Sequence, residues 1–377
     1  MKILHCVTDE KFIDGAISLY EQDNRIENRW VHFVKEDISS LNYIKSPKVE
    51  IVNINRFDDM MNGIDVVILH SLPSLPIEQI HSIPKGIKVV WYAWGYDLYD
   101  GSNPLLPLPL YLPKTKQIHQ KLSKAPTLAK AIKRKIKEWI LPCQYEQILL
   151  RIDFFSGVFP YEYDLLKEKY SQFRAVPLDF YYASTDFFIK DICPSTIENK
   201  MQNIMIGNSA NITNNHADVI EMIADYATLV KEDKVIIPLS YGGTERYVSI
   251  IKEIAQRHLG KNAMVLDTYL PIDEYWKLAS NCRIAIYAHV RQQASDNIFY
   301  QIMSGAKVYL TKKSAAYNYL NSIGLKVFSL ERDLQTINVP LTHDEIMSNR
   351  RILTQLYSTA THIKRVKDIN TILLSAK

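Results

Sequence analysis

Cysteine and glycine are both scarce in this chain. The four cysteines among 377 residues, Cys6, Cys143, Cys193 and Cys282, share no short spacing. That excludes a zinc ribbon and a disulfide framework and points to a reducing compartment. No GxGxxG follows the first apolar run, and no GxxxxGK[ST] occurs anywhere. The usual signals of a dinucleotide oxidoreductase and of a P-loop nucleotidase are therefore both missing. No His or carboxylate pair stands at a metal-binding helical spacing, and no cofactor is expected. Apolar runs are short, DVVILH at 65–70 being typical, which excludes a membrane-spanning helix. The opening MKILHCVTDEKF sets acids directly behind one apolar run. It reads as a first strand, not a secretory signal.

What is present is a chain too long for one ordinary core, with 47% hydrophobic and 23% charged residues. Two domains are the default reading. The net charge of +4 is unevenly spread. Between Lys114 and Ile140 stand nine lysines and arginines against Glu138 alone, so the remainder of the chain is acidic.

Candidate strands in the first half are KILHCV (2–7), RWVHFV (29–34), VEIVNI (49–54), VVILHS (66–71), KVVWYAW (88–94), DFFSGVF (153–159) and AVPLDFYY (175–182). Short runs rich in Val and Ile suit parallel strands covered on both faces. After a polar linker at 190–200 the alternation restarts. Strands at 203–209, 234–240, 262–268, 283–289 and 307–311 alternate with helices at 214–230, 244–259, 271–280 and 292–304. Strand-helix order with short connections is the signature of a doubly wound α/β sheet. The expected division is an N-terminal Rossmann-like domain over 1–189, carrying an insertion at 103–142, and a C-terminal one over 190–345. A helical segment at 346–377 ends the chain.

Ligands of open α/β sheets bind beyond the carboxyl ends of the strands. In AIYAHVRQQASDNIFYQIMSGAKVYL (285–310), Arg291, Gln292 and Gln293 fall where a strand hands over to a helix. A helix start with unpaired N–H groups and a neighbouring arginine is a place for a phosphate. IMIGNSANITNNH (204–216) ends its strand on Gly207, Asn208 and Ser209, where Gly207 permits close backbone approach. IIPLSYGGTE (236–245) ends on Ser240, Tyr241, Gly242 and Gly243, where Tyr241 is a candidate to stack on a base. Each loop taken alone is also ordinary turn chemistry. Three such loops on one sheet favour a single-nucleotide site. In the first half, VVWYAWGYDLYDG (89–101) brings Trp94, Gly95 and Asp97 to a strand end. Aromatic faces beside a carboxylate suit a carbohydrate. His70 and Asp9 end two neighbouring strands and are further candidates for a base.

The insertion has an amphipathic half. Leu128, Ile132, Ile136, Trp139 and Ile140 recur at helical spacing, with Lys130, Lys133, Arg134, Lys135 and Lys137 between them. Cations and an interfacial Trp suit an anionic membrane surface. The alternative is a helix packed on its own domain with lysines toward water. Nucleic acid fits less well, because the strip has no stacking pattern.

These residues together resemble the bacterial 4-acetamido-4,6-dideoxygalactose (Fuc4NAc) transferases of enterobacterial common antigen synthesis, glycosyltransferase family 56. The resemblance rests on VILH with His70, WYAWGYDLY with Trp94, Gly95 and Asp97, and GNSANITNNH with Gly207, Asn208, Ser209, Asn214 and His216. IIPLSYG with Pro238 and Tyr241, and RQQ at Arg291–Gln293 followed by SGAKVYL, complete it. It implies a GT-B fold, with two Rossmann-like domains facing across a cleft. It also implies a nucleotide-sugar donor, dTDP- or UDP-linked, on the second domain and a polyprenyl-diphosphate-linked saccharide acceptor on the first. The enzyme would work without a metal, at the cytoplasmic face of the plasma membrane. The loop ASDN after Gln293, the YGGTERY around Tyr241 and the lysine-rich insertion depart from the family pattern, so donor sugar and acceptor stay open. A nucleotide-sugar epimerase or hydrolase on the same fold, and a non-catalytic membrane-docking module, are the alternatives.

Overall fold

Short runs of Val, Ile and Leu bury both faces only when helices cover both sides of the sheet they form. A computed structural model shows that arrangement twice, and describes residues 1–36, 38–101, 104–123, 136, 146–182, 184–186, 202–226 and 233–376. The chain divides into two compact units. One comprises Met1–Pro107, Pro126–Ser184 and Thr359–Lys377, and the other Leu108–Ala125 and Thr185–Ser358.

The first unit holds seven parallel strands: β1 (Lys2–Cys6), β2 (Glu27–Val34), β3 (Val49–Asn53), β4 (Val66–Leu69), β5 (Lys88–Tyr92), β6 (Phe154–Ser156) and β7 (Val176–Pro177). Their spatial order is β3-β2-β1-β4-β5-β6-β7. The direction of winding reverses between β1 and β4, which pair from Ile3↔Val66 to Cys6↔Leu69. One face of this sheet packs Ile3, Ile68, Val90 and Tyr92 against helix Ile13–Tyr20 and against Val366, Ile369 and Leu373 of the closing helix Thr359–Ser375.

The second unit holds β8 (Ile204–Ile206), β9 (Val235–Pro238), β10 (Ala263–Leu266), β11 (Ile284–Tyr287), β12 (Lys307–Leu310) and β13 (Phe328–Ser329). Their order is β10-β9-β8-β11-β12-β13, all parallel. The reversal lies between β8 and β11. Ile204, Ile206, Ile284 and Ile286 form the centre of its core with Ile220, Ile223 and Ile251.

Three expectations change. The helix placed at 292–304 begins at Ser295, so Arg291, Gln292 and Gln293 lie in the turn before it. The first part of the basic insertion belongs to the second unit. Helix Pro113–Leu122 is capped there by Asp218, which accepts from Lys114 N, Thr115 N and Thr115 Oγ1 at 2.7–2.9 Å. The C-terminal helical segment is shared: helix His343–Tyr357 joins the second unit and Thr359–Ser375 the first.

Candidate active site

In the second unit the reversal of winding parts the loops after β8 and β11, and this is where an open sheet accepts a ligand. The two loops are tied together by asparagines. Asn214 Oδ1 accepts from Asn208 N at 3.1 Å and lies 2.7 Å from His289 Nε2. Asn214 Nδ2 donates to the Ser209 and Asn211 carbonyls, both at 3.0 Å. Asn215 stands in the left-handed region at φ 56° and donates to the Ala288 carbonyl at 2.8 Å. Its Oδ1 accepts from Leu112 N at 2.9 Å. Burial, helped by the charge of Arg291, holds His289 neutral, with its pKa lowered to about 3. Burial alone lowers His216 to about 3.

On this frame three of the sequence candidates are joined. Thr213 Oγ1 donates to Gln293 Oε1 at 2.6 Å, Gln293 Nε2 to Asn208 Oδ1 at 3.3 Å, and Asn208 Nδ2 to Tyr241 Oη at 3.4 Å. The chain runs across the loops after β11, β8 and β9. Arg291 and Gln292 are buried beside it, and Arg291 Nη1 donates to the Gln292 carbonyl at 3.0 Å. Ala294, between Gln293 and the helix, has φ 57° and ψ 29°, a left-handed conformation costly for a residue with a Cβ. Asp296 occupies the helix's first turn. Ser209 is buried and its Oγ accepts from Asn211 N at 3.4 Å.

Gly207 has a reason within the fold itself. At φ +70° its absent Cβ would meet Asn214 Oδ1 at 2.6 Å and His216 Nε2 at 2.8 Å. The glycine makes room for the asparagine frame. Gly242, at φ +82°, turns the chain after Tyr241, and a Cβ on Gly243 would meet the Ala210 carbonyl at 2.3 Å. Ala210 N also donates to the Tyr241 carbonyl at 2.7 Å. Tyr241 is thus fixed at its backbone while its side chain is 49% exposed.

In the first unit the three candidate bases differ. Asp9 accepts from the backbone N–H groups of Asn42, Tyr43 and Ile44 at 2.6–3.1 Å. Partial burial opposes ionisation, but those donors hold its pKa below the usual value. It clamps a loop. His70 is fully buried. Its Nε2 lies 3.0 Å from His5 Nδ1 and its Nδ1 2.8 Å from Tyr182 Oη, so both ring nitrogens are engaged. Burial and then His5 depress its pKa well below the ordinary range. Trp94 donates to the His70 carbonyl at 3.0 Å and its ring packs on Tyr182 at 4.7 Å between centroids. Gly95, buried, opens the short helix Gly95–Tyr99.

Asp97 is the exception. Its Oδ2 accepts from Trp94 N at 3.0 Å, Trp91 Nε1 at 3.2 Å and Leu72 N at 3.3 Å. Its Oδ1 is shielded and has no partner among the described residues. Burial outweighs the three donors and raises its pKa to about 7. Asp97 also lines a cavity of about 440 Å³ at the carboxyl edge of the sheet, with Phe33, Lys35, Leu75, Tyr96 and Asp100.

Lys130, Lys133, Arg134, Lys135, Lys137 and Trp139 lie outside the described residues. Among the described residues no helix is long and apolar enough to cross a membrane, and no group of three or more His, Cys, Asp or Glu is placed to hold a metal ion. Thr213, Asn215 and His289 also hold this arrangement together, although the strand-end motifs single out none of them. The asparagine-rich run NITNN was the available signal, since buried Asn side chains satisfy loops that helix and sheet leave unpaired.

Residues 166–360 match the family model of 4-alpha-L-fucosyltransferase, glycosyl transferase group 56. A direct comparison with curated proteins finds no match. Among solved structures, the N-terminal domain of trehalose-6-phosphate phosphatase from Candida albicans aligns with TM-score 0.66 at 10% identity, covering 99% of this chain and 96% of that chain. A glycosyltransferase from Rickettsia africae ESF-5 aligns with TM-score 0.64 at 12% identity, covering 100% and 99%. A trehalose-6-phosphate structure from E. coli, bound with UDP-2-fluoro glucose, aligns with TM-score 0.61 at 10% identity, covering 99% of each chain. The fold is the two-domain α/β GT-B fold.

Proposed function

Because the chain belongs to glycosyl transferase group 56 and is a glycosyltransferase, we propose that it moves a deoxy sugar, Fuc4NAc or a near relative, from a nucleoside-diphosphate donor to a lipid-linked saccharide. The second unit takes the donor, dTDP- or UDP-linked, and the first takes the acceptor. The observation that carries this reading is the hydrogen-bonded chain Thr213–Gln293–Asn208–Tyr241 beside the buried Arg291, at the point where the winding of the second sheet reverses. The bound UDP-2-fluoro glucose in the E. coli relative of the same fold supports a nucleotide-sugar donor.

Arg291, Gln292 and Gln293 serve the diphosphate. As the bond from sugar carbon to phosphate oxygen breaks, negative charge builds on the departing diphosphate. A fixed guanidinium in a dry site stabilises that charge more than water does. Gly207, Asn208, Ser209 and Gly242 shape the backbone around it. The acceptor lies along Trp94 and Gly95, and Asp97 takes the proton of its attacking hydroxyl. Asp97 is preferred over His70 and Asp9 because both nitrogens of His70 and both oxygens of Asp9 are already engaged. A carboxyl with pKa about 7 is matched to proton transfer near neutral pH. The lysine-rich strip around Lys130–Trp139 holds the enzyme on the anionic inner face of the plasma membrane, where a lipid-linked acceptor resides.

The test is an incubation of the purified protein with dTDP- and UDP-linked amino sugars, with and without a lipid-linked saccharide, read by mass spectrometry. The reading expects a glycosylated lipid product that requires both substrates. Donor cleavage at equal rate without acceptor would replace it with a hydrolase.

A further inference from the structure

Two exposed tyrosines follow neighbouring strands of the second sheet at the same interval. β9 and β10 are parallel neighbours with Pro238 opposite Leu266. Tyr241 follows Pro238 by three residues and Tyr269 follows Leu266 by three. Adjacent strands lie about 4.8 Å apart, so the loops that carry the two tyrosines leave the carboxyl edge side by side. Tyr241 is 49% exposed and Tyr269 72% exposed.

The backbone that carries each ring is anchored. The Tyr241 carbonyl accepts from Ala210 N, and its hydroxyl accepts from Asn208 Nδ2. The loop bearing Tyr269 is short. Asp267 at its start pairs with Lys252, and Pro271 at its end caps helix Ile272–Ser280. Burial shifts the Tyr241 hydroxyl upward, against the Asn208 hydrogen bond, and the Tyr269 hydroxyl adds to the shift. Through Asn208 and Gln293, Tyr241 is connected to the Arg291 turn. Exposed aromatic faces on the ligand edge of the sheet suit a planar heteroaromatic ring, because every nucleobase has a face to stack.

We infer that Tyr241 and Tyr269 together form a clamp for the base of the donor nucleotide, with Tyr269 a binding residue in its own right. The inference rests on the nucleotide-donor reading above. It divides the site: the Arg291 turn takes the diphosphate and the tyrosine pair the base.

Isothermal titration of the full chain with dTDP, UDP and inorganic pyrophosphate tests it. The wild type binds the nucleotides at least tenfold more tightly than pyrophosphate. Tyr269→Ala weakens both nucleotides about tenfold and leaves pyrophosphate unchanged, while Tyr269→Phe restores the wild-type values. Unchanged nucleotide affinity in Tyr269→Ala overturns the clamp and leaves the donor reading standing, provided Arg291→Ala loses nucleotide. A wild type that binds pyrophosphate and nucleotide equally also overturns the clamp. A wild type that binds none of the three overturns the donor reading itself.

Discussion

Asn214 Oδ1 accepts a hydrogen bond from His289 Nε2 at 2.7 Å, joining the loop after β8 to the loop after β11. Because the acceptor is a carbonyl, the neutral imidazole carries its proton on Nε2. The same oxygen accepts from Asn208 N, so one side chain sets the spacing of the proposed diphosphate site. Replacing Asn214 with Ala leaves two buried donors without partners. A loss of about 2–4 kcal/mol is expected in urea unfolding. An unchanged midpoint would show that the frame is not structural.

Gly207→Ala attacks the same frame from the backbone. The glycine is at φ +70°, and a Cβ there would press on Asn214 Oδ1 and His216 Nε2. Left-handed backbone alone costs a residue with a side chain about 1–3 kcal/mol, and the clash adds to it. Thermal melting should fall by several degrees, with nucleotide affinity falling alongside. A variant that melts normally would mean that the loop relaxes freely.

Asp97 makes two predictions of opposite sense. As a base with pKa about 7, it should make kcat/KM of the wild type rise with pH through that value. Asp97→Asn should lower turnover about 10²–10⁴-fold and remove the inflection. For stability the raised pKa works the other way. From the ordinary carboxylate range near pH 4 up to about 7, the unfolded chain has released the proton that the folded chain keeps, so stability falls as pH rises. Glu162, also raised to about 7 by burial, acts in the same sense. Asp97→Asn should therefore flatten, without abolishing, the decline in melting temperature between pH 4 and 7. A slope as steep as wild type would contradict the buried carboxyl.

The sheets were legible in the sequence because buried parallel strands are nearly continuous apolar runs. Val66–Leu69 is buried at every position, and VVILH announces it. The start of helix Ser295–Ser304 was not legible. The turn that delays it uses Ala294 in the left-handed region, where neither Gly nor Asn gives warning. Membership of Leu108–Ala125 in the second unit was hidden for another reason. It depends on Asn215 and Asp218, about 100 residues away along the chain, and no local pattern encodes such a contact. At the candidate site, the residue types at the strand ends were readable, while their division of labour was not. What separates Asp97 from Asp9 and His70 is that one of its oxygens has no partner among the described residues while theirs are engaged, and such pairing is a tertiary property.

The lysine-rich strip gives a prediction independent of the active site. Co-sedimentation with vesicles containing anionic lipid should capture the protein, and raised salt should release it. Changing Lys130, Lys133, Arg134, Lys135 and Lys137 to Gln should weaken capture strongly, since each cation near such a surface contributes about 1 kcal/mol. Equal capture by neutral and anionic vesicles would contradict an electrostatic contact.

The most direct test of the account is the affinity of the Arg291→Ala protein for dTDP and UDP, measured beside wild type by isothermal titration. The account predicts that the wild type binds at least one of the two and that the variant loses that binding about tenfold or more, with its melting temperature in the absence of ligand retained. A variant that remains folded and binds nucleotide as tightly as wild type would contradict it.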